Sequence, residues 1–248
     1  RRVFRDGGRF EERHRRYGLH LWYDIRIADE VPVSRARAEM VSLPGVDVVE
    51  PVYRVRLAEA HVVPDISDRL YRPFSEGEAR PEPAPFNDPE LSRQWHYNND
   101  GSIEGSVAGA DINLFKAWRE IGAGRPEVVV AVIDGGIQYD HPDLAANMWT
   151  NEAEMNGTPG VDDDGNGYVD DIYGWNYYTD SGTITQHFHG THVAGTVAAV
   201  NNNGIGVCGV AGGTGVGDGV RLMSCQNYDT DANGQEVGSV TEESFIYA

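Results

Sequence analysis

The chain has 248 residues, 40% of them hydrophobic and 24% charged, which is enough apolar content for one large domain or two ordinary ones. No apolar stretch approaches the length of a membrane span, and the opening RRVFRDGGRF lacks the apolar run of a signal peptide, so no secretory leader is expected within it. The net charge of −19 is unevenly placed: residues 1–56 hold twelve arginines against nine carboxylates, and the remainder is strongly acidic. Such a body argues against nucleic acid as a partner and suits calcium or plain solubility.

In chain order, LHLWYDIRI (19–27) alternates Leu19, Leu21, Tyr23, Ile25 and Ile27, the period of a half-buried strand. VSRARAEMVSL reads as a short helix, Pro44–Gly45 as a turn and VDVVEPVYRVRL as a second strand, together a small α+β unit. Residues 73–89 hold five prolines and few apolar side chains, the composition of an extended linker. Beyond it Asp111 is placed to cap a helix, INLFKAWREI, that Gly122 ends. EVVVAVID is a continuous β-branched run, which predicts a strand buried on both faces of a parallel sheet under helices. GTHVAGTVAAV predicts a close-packing helix of small residues, and GVRLMSCQ another buried strand, giving an α/β order. Cys208 and Cys225 both lie in apolar runs and are expected as buried thiols.

Two segments carry chemistry. Asp134 ends the β-branched run, and Gly135–Gly136 let the backbone turn away; ligand and catalytic groups collect at such strand ends, although a cap is the alternative use of the carboxylate. QHFHGTHVAGT places His187, His189 and His192 within six positions. A helix beginning near His189 puts that imidazole in the first turn, where the helix dipole favours the neutral form a general base requires. His192 is then expected in the packed interior and His187 as an exposed flank.

Together VVVAVIDGGIQYDHPDL and HGTHVAGTVAAVNNNGIGVCGVAG resemble the Asp and His blocks of the subtilisin-like serine proteases. DINLFKAW resembles the helix before the Asp strand, and NDPELSRQWHY the mature N-terminus. The resemblance implies a subtilisin-like α/β fold, a parallel sheet flanked by helices, over residues 90–248, with Asp134 orienting and charge-stabilising the general base His189. LPGVDVVEPVYRVRL resembles the closing strand of the family propeptide, which implies a propeptide-like inhibitor and chaperone over residues 1–72 and processing in or near the 73–89 linker. The nucleophile block of the family has no counterpart. Ser181, Ser224, Ser239 and Ser244 lack its G-T-S setting, no Asn matches the oxyanion segment, and EESFIYA resembles the helix before the missing region. The chain is therefore expected to be a fragment, inactive alone, of a secreted or cell-envelope serine endopeptidase that acts on proteins or peptides and needs the rest of its catalytic domain.

The run DDDGNGYVDD fits D-x-D-x-N-G from Asp162 through Asp164 and Asn166 to Gly167, with the Tyr168 carbonyl and Asp170 following at EF-hand spacing. Tyr173 stands at the twelfth place, so Asp170 or Asp171 must supply the last carboxylate to a Ca2+ ion; a solvated acidic turn is the alternative. A second calcium site is implied by the family resemblance: Asp143 and Asn202, the carbonyls of Val200, Ile205 and Val207, and Gln94. Two rival readings remain. One is a zinc hydrolase, because H-x-H-x-x-H resembles the metallo-β-lactamase ligand run, although that run needs Asp where Thr191 stands. The other is a non-catalytic fragment or binding module.

Overall fold

The structure is a computed structural model that describes residue 3, residues 11–52, residues 83–230 and residues 236–237. The N-terminal part holds α1 (Glu11–Arg16) and α2 (Val33–Val41). Pro32, whose fixed φ suits a helix start, precedes α2, and Gly45 at φ 82° makes the turn beyond it. Among the described residues the strand expected at 19–27 is reduced to a single bridge at Tyr23, beside which Val3 N bonds Trp22 O. Gly18, at φ 74°, leads instead into a single 3-10 turn, Leu19–Leu21, and Leu21, Tyr23 and Ile25 stay exposed. An alternating segment becomes a strand only when a neighbour takes its hydrogen bonds and its apolar face. Residues 46–52 of the expected partner are unpaired among the described residues, and 53–57, like linker residues 73–82, lie outside them.

The second part contains α3 (Leu114–Glu120), β1 (Val129–Asp134), α4 (Glu152–Met155), β2 (Gly174–Asn176), α5 (Phe188–Ala198) and β3 (Arg221–Gln226). A hairpin of β4 (Asp229–Thr230) and β5 (Glu236–Val237) follows. Asp111 does not cap α3 directly: its carboxylate accepts from the amides of Asn99 and Asn113, and Asn113, at φ 55°, takes the cap position. Gly122, at φ 105°, ends the helix as expected.

β3 is the middle strand of a parallel sheet ordered β1–β3–β2. Its register sets Asp134 and Asn176 level with Gln226, so all three strands end at one edge with a buried polar side chain. These side chains hold the loops there. Gln226 Oε1 accepts from Thr185 N, and Asn176 bonds the backbone of Tyr178, Thr179 and Thr183. The principal core lies between α5 and the sheet, where Ala194 and Ala198 meet Val132, Leu144, Val220 and Leu222. A second cluster joins Leu91, Tyr97, Phe115, Trp118 and Cys208. β1 is buried on one face only: Val132 and Asp134 are covered, whereas Val129 and Ile133 are exposed. The β-branched run therefore marks a strand position correctly and overstates its cover within the described residues.

Both cysteines are free, buried thiols. Burial pushes Cys225 up to about 11 and Cys208 higher still, the latter reinforced by its hydrogen bond and proximity to Asp88. Neither is poised as a nucleophile.

Candidate active site

The end of β1 and the first turn of α5 bring Asp134 and His189 together. His189 Nδ1 lies 2.7 Å from Asp134 Oδ2. Asp134 is 6% exposed, and its other oxygen, Oδ1, accepts from Gly135 N at 2.7 Å and from the Tyr228 hydroxyl at 2.9 Å. With the carboxylate ionised and acceptor-only, Nδ1 must donate, so Nε2 carries the lone pair. The His189 side chain is 38% exposed, open enough to exchange a proton with a bound molecule. The pair can therefore take up a proton at Nε2 and hold the resulting imidazolium against a buried carboxylate.

The close approach of strand turn and helix depends on glycine. A Cβ at Gly190 would strike Gly136 O and come within 3.2 Å of Asp134 Oδ1; one at Gly136, φ 106°, would strike Thr185 O. Those neighbours are mostly backbone and cannot rotate aside. Gly190→Ala is expected to lower stability by about 1–3 kcal/mol, the usual range for overpacking, read as a lower Tm. An unchanged Tm would mean that helix and turn are not held this closely.

The histidines do not divide as their order in the chain suggests. His187 is not exposed: it is 6% exposed and caps α5, its Nδ1 accepting from His189 N while its carbonyl takes Thr191 N and Oγ1. His192, expected in the interior, is exposed. Gly190, Ala194 and Ala198, four residues apart, form the buried stripe of α5, and His192 falls outside it. The three imidazoles do not combine into a metal-ligating cluster among the described residues. Thr191 is occupied otherwise, its hydroxyl also accepting from Gln138 N.

The acidic loop closes on itself. Asp162 accepts from the amides of Asn166 and Gly167, and Asp164 from Asn166 N. Asn166 Oδ1 accepts from Tyr168 N, and its Nδ2 donates to Asp171. Asp170 diverges: at φ 55° its carboxylate accepts from Gly160 N instead, leaving Asp171 as the carboxylate beside Asn166. Glu154 in α4, with no place in the loop's spacing, reaches in from outside it. One carboxylate oxygen from each of Glu154, Asp162 and Asp164 lies within 4.8 Å of the others. Burial first, then the charges of Asp164 and Glu154, hold Asp171 up at about 6, against hydrogen bonds from Asn151 and Asn166.

At the other carboxylate site, Asp143 Oδ1 accepts from Asn203 Nδ2 at 2.8 Å and Oδ2 from Val207 N. Asn203, rather than Asn202, meets Asp143; Asn202 turns away at φ 61° and bonds Thr214 O. Gln94 is tied to both backbone groups of Cys208, Ile205 N bonds Asn203 Oδ1, and Val200 N bonds Asp143 O. Asp88 joins unannounced, accepting from Asn202 N, Asn203 N and the Cys208 thiol. Only NDP in the N-terminal segment marked it. Burial is the main cause raising Asp143, with Asp88 adding repulsion, against hydrogen bonds from Val207 and Asn203 and the attraction of His141. Clustered carboxylate and amide oxygens of this kind fit a hard cation.

Residues 125–239 match the profile of the subtilase family. The chain is 45% identical to subtilisin-like protease 1 of Plasmodium vivax over 147 residues, covering 58% of this chain and 20% of that protein. It is 34% identical to human neuroendocrine convertase 2 over 178 residues, covering 72% of this chain and 24% of that one. The match thus spans a quarter or less of either relative. Among solved structures, the Aeromonas sobria serine protease in complex with its chaperone overlays at TM-score 0.43 and 28% identity, over 67% of this chain and 23% of that one. The subtilase match covers residues 125–239, which hold Asp134 and His189.

Proposed function

We propose that this chain is part of a serine endopeptidase in which Asp134 orients His189 and His189 is the general base. The observation that carries the reading is the 2.7 Å contact between His189 Nδ1 and a buried Asp134 Oδ2. In the reaction, Nε2 takes the proton of an attacking serine hydroxyl and returns it to the leaving amine, while Asp134 stabilises the imidazolium between those steps. Among the described residues no hydroxyl bonds His189. Ser224 Oγ accepts from Ile137 N, and Ser181 pairs with Thr179. Ser239 and Ser244 lie outside the described residues, and because the sequence holds no G-T-S block the nucleophile and oxyanion donors are assigned to the remainder of the full-length protein. Hydrolysis of a peptide substrate by that protein should be lost on stoichiometric reaction with a serine-directed phosphonylating reagent; hydrolysis that survives it sinks the reading.

Residues 1–72 are proposed as the propeptide-like unit, on the resemblance of 43–57, with processing in or near residues 73–89. Added in trans, they should slow hydrolysis in that assay, and an unaltered rate counts against this role. Secretion or a cell-envelope location fits a protease synthesised behind such a unit; among the described residues no helix is long and apolar enough to cross a membrane. Detection of the mature protein only inside cells would oppose it. Calcium is proposed at the acidic loop, through Glu154, Asp162, Asp164, Asn166 and Asp171, and at Asp143 with Asn203 and Asp88. A bound ion would cancel the repulsion among these carboxylates and fix the loops beside the sheet.

A further inference from the structure

Asp134 can serve His189 only if its carboxylate is held with Oδ2 facing the imidazole. Its immediate neighbour contributes one N–H and nothing more, because the position after Asp134 admits no side chain: a Cβ at Gly135 would sit 2.8 Å from His187 Cγ and 2.9 Å from Tyr228 Cε2. The second donor comes from just beyond the end of β3. Asn227 N continues the β1–β3 ladder onto Asp134 O, and the next residue, Tyr228, returns its hydroxyl to Asp134 Oδ1 at 2.9 Å. Tyr228 is 1% exposed, its carbonyl accepts from Gln226 Nε2, and its ring meets that of the α5 cap His187 at 5.4 Å, near perpendicular. One side chain thus touches the carboxylate and the residue that starts the helix bearing His189.

We propose that Tyr228 is a positioning residue of the Asp134–His189 pair, its hydroxyl fixing the Asp134 carboxylate through Oδ1 so that Oδ2 is presented to His189 Nδ1. This rests on the general-base reading of His189. The hydroxyl and the Gly135 amide occupy Oδ1, so rotation of the carboxylate away from His189 breaks two hydrogen bonds to a charged group. The imidazolium formed during proton transfer then meets an already oriented anion.

Tyr228→Phe keeps the ring against His187 and removes only the hydroxyl. In the full-length protein it should lower kcat roughly 10- to 100-fold, with KM within about twofold and Tm lowered by no more than one lost hydrogen bond to a charged group accounts for. A packing role would move Tm and leave kcat alone. A kcat within twofold of wild type, while His189→Ala is inactive, overturns this inference and leaves the general base standing. If His189→Ala retains activity, both fall. A measurement that leaves Tyr228 in place uses the full-length protein: the Tyr228 Cζ NMR resonance should move on Asp134→Asn, and one that stays put overturns the proposal even if Tyr228→Phe fails to fold.

Discussion

With His189 replaced by Ala, the full-length protein is expected to lose roughly four to six orders of magnitude in kcat, with little change in KM. Among the described residues His189 is the one basic side chain that contacts Asp134, so none is at hand to substitute for it. Asp134→Ala is expected to cost less, because a general base survives although its tautomer and orientation are no longer imposed. The buried position adds a stability cost to Asp134→Ala. Removing a carboxylate that is 6% exposed leaves the Tyr228 hydroxyl, the Gly135 amide and His189 Nδ1 without their acceptor. Since the two residues act as a unit, the double variant should be no slower than His189→Ala alone. Rates that multiply would show that the two do not act as a unit, and a His189→Ala variant within tenfold of wild type would remove the base from the chemistry. The readout is single-substrate kinetics on purified protein whose melting curve shows it folded.

What the sequence disclosed tracks how local each signal is. β1, β3 and α5 are each specified by a run of their own residues, and they fall where those runs predict. The Asp134–His189 pair spans 55 positions, yet each partner carries a local mark, a strand end and a helix start. The roles of His187 and His192 were legible only through helical phase. Taking Gly190, Ala194 and Ala198 as one stripe puts His192 outside, and a helix that begins at Phe188 makes His187 its cap. In the Asn201–Asn203 run nothing local tells which amide turns inward; the positive φ of Asn202 decides it. Tyr228 and Glu154 left no trace, because they reach their partners across 94 and about ten residues through the fold rather than through any spacing. The segment 19–27 is the converse case, a local pattern that reaches only a single bridge, at Tyr23, among the described residues.

Chelation of calcium is expected to lower the melting temperature, and calcium alone, not magnesium at the same concentration, should restore it. The argument begins with charge. At an effective dielectric of about 20, two carboxylates 4.8 Å apart repel by about 3 kcal/mol, and Glu154, Asp162 and Asp164 approach one another within that distance. Backbone amides offset part of this: Glu154 alone accepts from the amides of Asp163, Asp164 and Asp170. Burial, and then the same field, hold Asp171 up at about 6. A divalent cation relieves all four carboxylates together, and the loop offers the oxygen donors that calcium takes in flexible geometry. At a free concentration a hundredfold above Kd the ion stabilises the folded chain by about 2.7 kcal/mol, which for a chain of this size is roughly 5–10 °C in Tm. Asp164→Asn should weaken that response by removing a ligand from the acidic loop, whereas Asp143→Asn should remove only the part owed to the second site. If chelation leaves Tm where it was, the carboxylates are held by their amides alone and the ion has no place there.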